Sequence, residues 1–209
     1  MKKTIFWDFN GTILDDAYLV YEILVDMLEE VNQPTVTFEQ YLNIFTFPVR
    51  DYYAQVYDLE KTPFDGLAKR FIELYMTRSL NAKLHDHVVE TIQYFKAKGY
   101  RNVVLSASEK NNLLKQLKYY HIDHLFDAVL GTDNVHANGK IGIGNAYIKD
   151  HHIDTQHAVM VGDTIHDAEV AESLGVSFVC FTKGHQHPSR LKQYQTIDDF
   201  RNLKHLIET

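Results

Sequence analysis

The stretch Ile5-Phe6-Trp7-Asp8-Phe9-Asn10-Gly11-Thr12-Ile13-Leu14-Asp15-Asp16 decides how the rest of the chain is read. Ile5, Phe6, Trp7 and Phe9 are strand formers in a nearly continuous apolar run, and Asn10-Gly11-Thr12 ends it with a strong turn signal. Asp8 falls where the run ends. In a parallel α/β sheet, ligands bind outside the carboxyl ends of the strands. A carboxylate there can act as a nucleophile, and a tight glycine turn can turn backbone N–H groups toward an anion.

Outward from this stretch the grammar is first helical. Asp15 and Asp16 can cap a helix over about 17–31, where Val20, Ile23, Leu24, Met27 and Leu28 repeat at three- and four-residue spacing. Further helical patterns cover roughly 38–44, 50–57 and 63–79, with no strand candidate up to Lys83. Beyond that point short apolar strands alternate with helices. Strands are expected at 102–106, 127–131, 158–163 and 176–181. Helices are expected at 87–98, 109–120 (with Ser108 as its N-cap), 143–151, 167–174 and in the tail. This alternation implies a parallel sheet with right-handed crossovers. The expected fold is α/β, with about five parallel strands and an all-helical insertion after the first. Residues 1–15 and 84–209 form the core and residues 16–83 form the helical cap.

Bulk properties narrow the function. The chain has 209 residues, 45% of them hydrophobic, and a net charge of −7, which suits a globule with a sizeable core. It shows no basic stripe, so nucleic-acid binding is not expected. No apolar run approaches the ~20 residues of a membrane helix, and no signal-peptide pattern opens the chain. A cytoplasmic protein, monomeric or homodimeric, is the expectation. The one cysteine, Cys180, lies in an apolar run and suits core packing.

Four motifs in order carry a resemblance. Asp8-Phe9-Asn10-Gly11-Thr12-Ile13-Leu14-Asp15 resembles motif I of the haloacid dehalogenase superfamily, Asp-x-Asp-Gly-Thr/Val-Leu/Ile. Ser106 ends an apolar strand, as motif II does. Lys140, in Asn138-Gly139-Lys140-Ile141-Gly142, is the favoured motif III lysine, with Lys149 as the alternative. Gly162-Asp163-Thr164-Ile165-His166-Asp167 resembles motif IV, Gly-Asp-x-x-x-Asp. The resemblance covers nearly the whole chain and points to the phosphoglycolate phosphatase and β-phosphoglucomutase branch, with a helical C1-type cap.

The resemblance implies a phosphatase that works through an aspartyl-phosphate. Asp8 would be the nucleophile. Phe9, Gly11, Thr12, Ser106, Ala107 and Lys140 would hold the phosphoryl group of a small metabolite. Mg²⁺ would be held by Asp8, the backbone carbonyl of Asn10, Asp163 and Asp167, since this ion favours hard oxygen ligands. Asp167 could instead orient Lys140. Asn10 stands where the family has its general acid/base aspartate, a role typically contributing ~10²–10⁴-fold. An amide cannot donate or take that proton. Either the leaving group needs little protonation (an acyl, aryl or anhydride phosphate), or another group such as His166 serves, or turnover is slow. If the amide is the defect, Asn10→Asp raises turnover. A phosphotransferase or mutase, or a silent phosphate-binding protein of the same fold, are the alternatives. From the cap, Arg50 could meet an anionic leaving group, though a surface arginine is the competing reading. The pairs His85/His87 and His185/His187 lack further ligands at structural-zinc spacing and read as solvated loop histidines, with a role for the second pair at the site's rim left open.

Overall fold

The computed structural model describes residues 3–132 and 139–208. The decisive stretch forms β1 (Thr4–Trp7), buried at every position. The other strands are β2 (Leu14–Asp15), β3 (Lys83–Leu84), β4 (Arg101–Glu109), β5 (Ala128–Thr132), β6 (Ala158–Gly162), β7 (Ser177–Phe181) and β8 (Thr196–Ile197). The main sheet has six strands in the order β5-β4-β1-β6-β7-β8, every pair parallel. The chain builds outward from β1 through β4 and β5, then crosses to β6 on the other side. The order therefore reverses between β1 and β6, the place where a crevice opens in such sheets. Trp7 pairs with both Val104 and Val161. Asp8 and Asp163 thus emerge side by side at the carboxyl end, with Ser106 on the opposite neighbour.

Period-two alternation sends successive β1 side chains to opposite faces. Ile5 and Trp7 pack on one face with Val88, Ile92 and Phe95 of α5 (Val88–Ala97) and Leu113 and Leu117 of α6 (Lys110–Tyr119). Phe6 packs on the other with Val170 and Leu174 of α8 (Ile165–Leu174), beside α7 (Gly139–Asp150). Trp7 is fully buried, and its indole N–H donates to Asn102 Oδ1 at 3.0 Å, which satisfies the one polar atom of the ring.

Between β2 and β3 run α1 (Ala17–Glu30), α2 (Phe38–Ile44), α3 (Val49–Tyr53) and α4 (Phe64–Arg78). They share a separate core of Ile23, Leu24, Met27 and Leu28 against Tyr41, Tyr52, Tyr53 and Leu67. The two connections to this helical lobe pair as an antiparallel ribbon, Leu14 with Leu84 and Asp15 with Lys83. The segment following β7 reaches across to the lobe. Gln186 Nε2 donates to the Phe45 carbonyl at 2.9 Å. Arg190 donates to the carbonyls of Asn43 and Phe45 at 3.0 and 2.7 Å, at the end of α2 where helix carbonyls lack partners.

Three expectations are corrected. The sheet has a sixth strand, β8, which two residues are too few to signal. Lys83 belongs to a strand, paired through the ribbon. Ser108 caps no helix, because β4 runs on to Glu109, which pairs with Thr132. Glu109 takes over as N-cap of α6, accepting from the N–H groups of Asn111 and Asn112.

Candidate active site

Asp8 and Lys140 meet at the mouth of the sheet. Lys140 sits in the first turn of α7, so it is helical rather than in a loop, and Asn138 lies outside the described residues. Its Nζ donates to Asp8 Oδ1 at 2.6 Å and to Asp167 Oδ1 at 2.5 Å. Burial works against the ammonium, but the two carboxylates outweigh it and hold the Lys140 pKa above its ordinary value. Lys149 is exposed in the last turn of the same helix, away from this cluster.

Asp167 is tied on both oxygens. Besides Lys140 on Oδ1, its Oδ2 accepts from the N–H groups of Asp163 and Thr164 and from Thr164 Oγ1 at 2.7 Å. Burial alone would raise its pKa, yet Lys140 and Thr164 prevail and keep it low. Its geometry is that of a residue orienting Lys140. Asp163 accepts from Thr12 Oγ1 at 2.9 Å and from the His185 N–H at 2.7 Å. Burial first, and then Asp167, push its pKa up to about 6. Burial, with Asp167 and Asp163 adding, raises Asp8 against the pull of Lys140.

Asp8, Asp163 and Asp167 thus bring three carboxylates within 4.8 Å of one another, and one ammonium answers them. Such an excess of buried negative charge suits a divalent cation, and the oxygen-only donor set is the hard set that Mg²⁺ prefers. Backbone packs tightly around Asp163. A Cβ at Gly11, whose φ is +73°, would lie 2.4 Å from Asp163 Oδ2, and one at Gly184 would lie 2.2 Å from it. The Gly11-Thr12 turn is also committed inward. The Gly11 N–H donates to Leu14 O and to Asp16 Oδ1, and the Thr12 hydroxyl to Asp163. The expected phosphate cradle is therefore narrower than motif I alone suggests. Phe9 points its ring into the core. Ser106 is buried, with its Oγ accepting from the Ser108 N–H at 3.1 Å, and its own hydroxyl proton can serve a ligand. Ala107 is exposed beside it.

Asn10 is locked at both ends. Its Oδ1 accepts from Ser108 Oγ at 2.9 Å. Its Nδ2 donates to Asp16 Oδ2 at 2.8 Å and to Tyr75 Oη at 2.5 Å. His166 is stacked on Phe47 and lies 3.3 Å from Glu169. His185 was expected to be solvated, but it is 4% exposed. Its ring lies between Asp16, at 3.2 Å from Nε2, and Tyr41 Oη, at 2.7 Å from Nδ1, and stacks on Phe45. Burial disfavours its charge, but Asp16 outweighs burial and lifts its pKa to about 9. His85 is buried too, against Phe181 and Phe200, because the ribbon runs on past Leu84, with the His85 N–H donating to Ile13 O. Arg50 remains exposed, its guanidinium 6.0 Å from the Phe64 ring centroid, and is not among the side chains that meet Asp8.

Asp16, Tyr41 and Tyr75 were missed as site residues, while for His185 a place at the rim was left open. The Asp15-Asp16 doublet and the histidine after β7 were the available signals. Tyr75 offered none, since it lies mid-helix in the lobe.

Fold and sequence relatives together define a hydrolase. The model of the haloacid dehalogenase-like hydrolases matches residues 5–181, and the chain belongs to that family. It is 26% identical over 192 residues to a phosphoglycolate phosphatase of Caulobacter vibrioides, covering 87% of this chain and 80% of that one. It is 25% identical to the pyrophosphatase PpaX of Anoxybacillus flavithermus, covering 88% and 87%. Among solved structures, a haloacid dehalogenase-like hydrolase of Streptococcus pneumoniae superposes with a TM-score of 0.84 at 17% identity, covering 98% of each chain.

Proposed function

We propose that the protein is a Mg²⁺-dependent phosphatase that hydrolyses a small phosphomonoester through an aspartyl-phosphate on Asp8. The observation that carries this reading is Lys140 bridging Asp8 and Asp167 inside a buried carboxylate triad. Asp8, Asp163 and the Asn10 carbonyl would hold the ion, which when bound offsets charge on the phosphoryl oxygens. Asp8 Oδ attacks phosphorus, the P–O bond to the leaving group breaks, and water then cleaves the acyl phosphate. Lys140 and Ser106 hold the transferring group, with the Phe9 and Ala107 backbone alongside. In such transfer, positioning and electrostatics supply most of the rate. The helical lobe, seated on the core through Gln186 and Arg190, limits water at the site.

Asn10 shapes the choice of substrate. An amide has no proton to give a departing oxygen, and the Asn10 Nδ2 is already committed to Asp16 and Tyr75, which favours acyl, aryl or anhydride phosphates over alkyl esters. The same residue favours the second reading, a protein that binds a phosphorylated ligand without turning it over. Phosphate release with Mg²⁺ from p-nitrophenyl phosphate, acetyl phosphate, pyrophosphate, 2-phosphoglycolate and a sugar phosphate separates the two readings. The expected result is turnover of the first three, abolished in Asp8→Asn. Equal rates in that variant overturn the mechanism, and phosphate binding with no release on any compound establishes the second reading.

A further inference from the structure

Among the described residues four acidic side chains are buried, Asp8, Asp16, Asp163 and Asp167. The reaction above leaves Asp16 without a role, although it is wholly buried. Asp16 holds the N-cap position of α1 but makes no capping bond. Its carboxylate turns back toward the site. Oδ1 accepts from the Gly11 N–H at 2.8 Å and faces His185 Nε2 at 3.2 Å. Oδ2 accepts from Asn10 Nδ2 at 2.8 Å and from Tyr75 Oη at 2.6 Å. Donors from motif I, the loop after β7 and α4 thus converge on one carboxylate. A buried charge persists only with such partners.

The pairing explains the residue at position 10. Asn10 presents its donor end to Asp16 and its acceptor end to Ser108 Oγ. A carboxylate at position 10 would instead set acceptor against acceptor at 2.8 Å, inside the protein, where like charges repel strongly. The amide is therefore the complement of Asp16.

We propose that Asp16 is a positioning residue of the reaction centre, and that Asn10 and Asp16 act as a matched amide–carboxylate pair. The pair fixes the Asn10 side chain and the Gly11 turn, and with them the backbone that leaves Asp8. Tyr75, from the helical lobe, closes the triangle on Asn10 and Asp16, so this loop is held from core and lobe at once. A loop fixed in this way keeps the reacting carboxylate in place without reorganising. The inference rests on the phosphatase reading for its catalytic consequence, but the pairing itself does not.

The test is a reciprocal exchange in the full chain, comparing Asn10→Asp, Asp16→Asn and the double variant. Exchange preserves the bond, because the amide at position 16 can still accept from Gly11 with its oxygen and donate to position 10. kcat and KM are measured on p-nitrophenyl phosphate with Mg²⁺, and urea unfolding is followed in metal-free buffer. Each single variant is expected to lower kcat by about tenfold or more, with KM changing less, and the double to recover about tenfold over the worse single. The unfolding midpoints should show the same recovery. A gain in kcat from Asn10→Asp alone, or a double variant no better than the worse single in both measurements, overturns the proposal. If no protein releases phosphate above the Asp8→Asn background, the phosphatase reading fails, while the unfolding midpoints still decide the pair. Should Asp16→Asn not fold, Tyr75→Phe removes one donor without altering charge. A lowered kcat at steady KM is then expected, and an unchanged kcat overturns the proposal.

Discussion

Replacing Lys140 by Met keeps the length of the side chain and removes its charge. The ammonium bridges Asp8 and Asp167 at 2.6 and 2.5 Å, with the lysine side chain 3% exposed. Breaking a buried pair by deleting one partner typically costs ~3–5 kcal/mol. The lower end applies here, because Asp167 keeps three donors on Oδ2 and Asp8 relaxes by taking a proton. A loss of ~3 kcal/mol lowers the melting temperature of a chain this size by roughly 6–12 °C. The sign with pH follows from linkage. In the wild type Lys140 lowers the Asp167 pKa below its unfolded value, so this pairing contributes stability above the unfolded carboxylate pKa and loses it as pH falls. In the variant the buried carboxylates are raised. The folded state then holds protons that the unfolded state releases, and stability drops as pH rises. The gap between the two proteins should therefore widen from pH 5 to pH 8. Differential scanning calorimetry in chelator-treated buffer measures it. Equal melting temperatures at pH 8 would refute the bridge as a buried ion pair. Phosphate release should fall by ~10²–10³-fold at the same time.

Further outcomes follow from the same geometry. Gly184→Ala places a methyl group 2.2 Å from Asp163 Oδ2, so Mg²⁺ binding by titration calorimetry should weaken; unchanged affinity would show that Asp163 is not a ligand. Burial raises Asp163 to about 6, so a cation must displace its proton in acid, and the melting-temperature rise on adding Mg²⁺ should be larger at pH 8 than at pH 5. Lys149→Ala should leave phosphate release within about twofold, as for other exposed positions. Arg190→Met removes the donors to the Asn43 and Phe45 carbonyls, so amide exchange at the end of α2 should speed up; unchanged exchange would mean the clasp does not hold that helix end.

Much of this molecule was legible before any coordinates. The strand ending at Asp8, the alternation after residue 84 and the Gly-Asp turn at 162–163 follow from local rules: apolar period, turn chemistry and the position of acids at strand ends. Periodicity set the helical lobe, because Ile23, Leu24, Met27 and Leu28 fall on one face. Lys140 was nameable only with Lys149 as a rival, since linear distance does not say which end of a helix faces a strand mouth. Packing α7 against the sheet puts its first turn, and so Lys140, beside Asp8.

What no local rule could supply was the meaning of Asn10. As a letter in a motif it reads as a missing proton donor. In the folded chain it is the donor to Asp16, six residues on, and to Tyr75, sixty-five residues on. Those contacts depend on how the lobe sits on the core, and hence on long-range packing that spacing does not encode. The same holds for His185, which an exposed-loop composition describes poorly and which the Asp16 carboxylate keeps charged against its burial. Apolar patterning determines which segments become strands and helices, because burial of each face is decided within a few residues. The pairing of polar groups is decided only when distant segments exclude water together, because a buried donor must find whichever acceptor the fold brings to it.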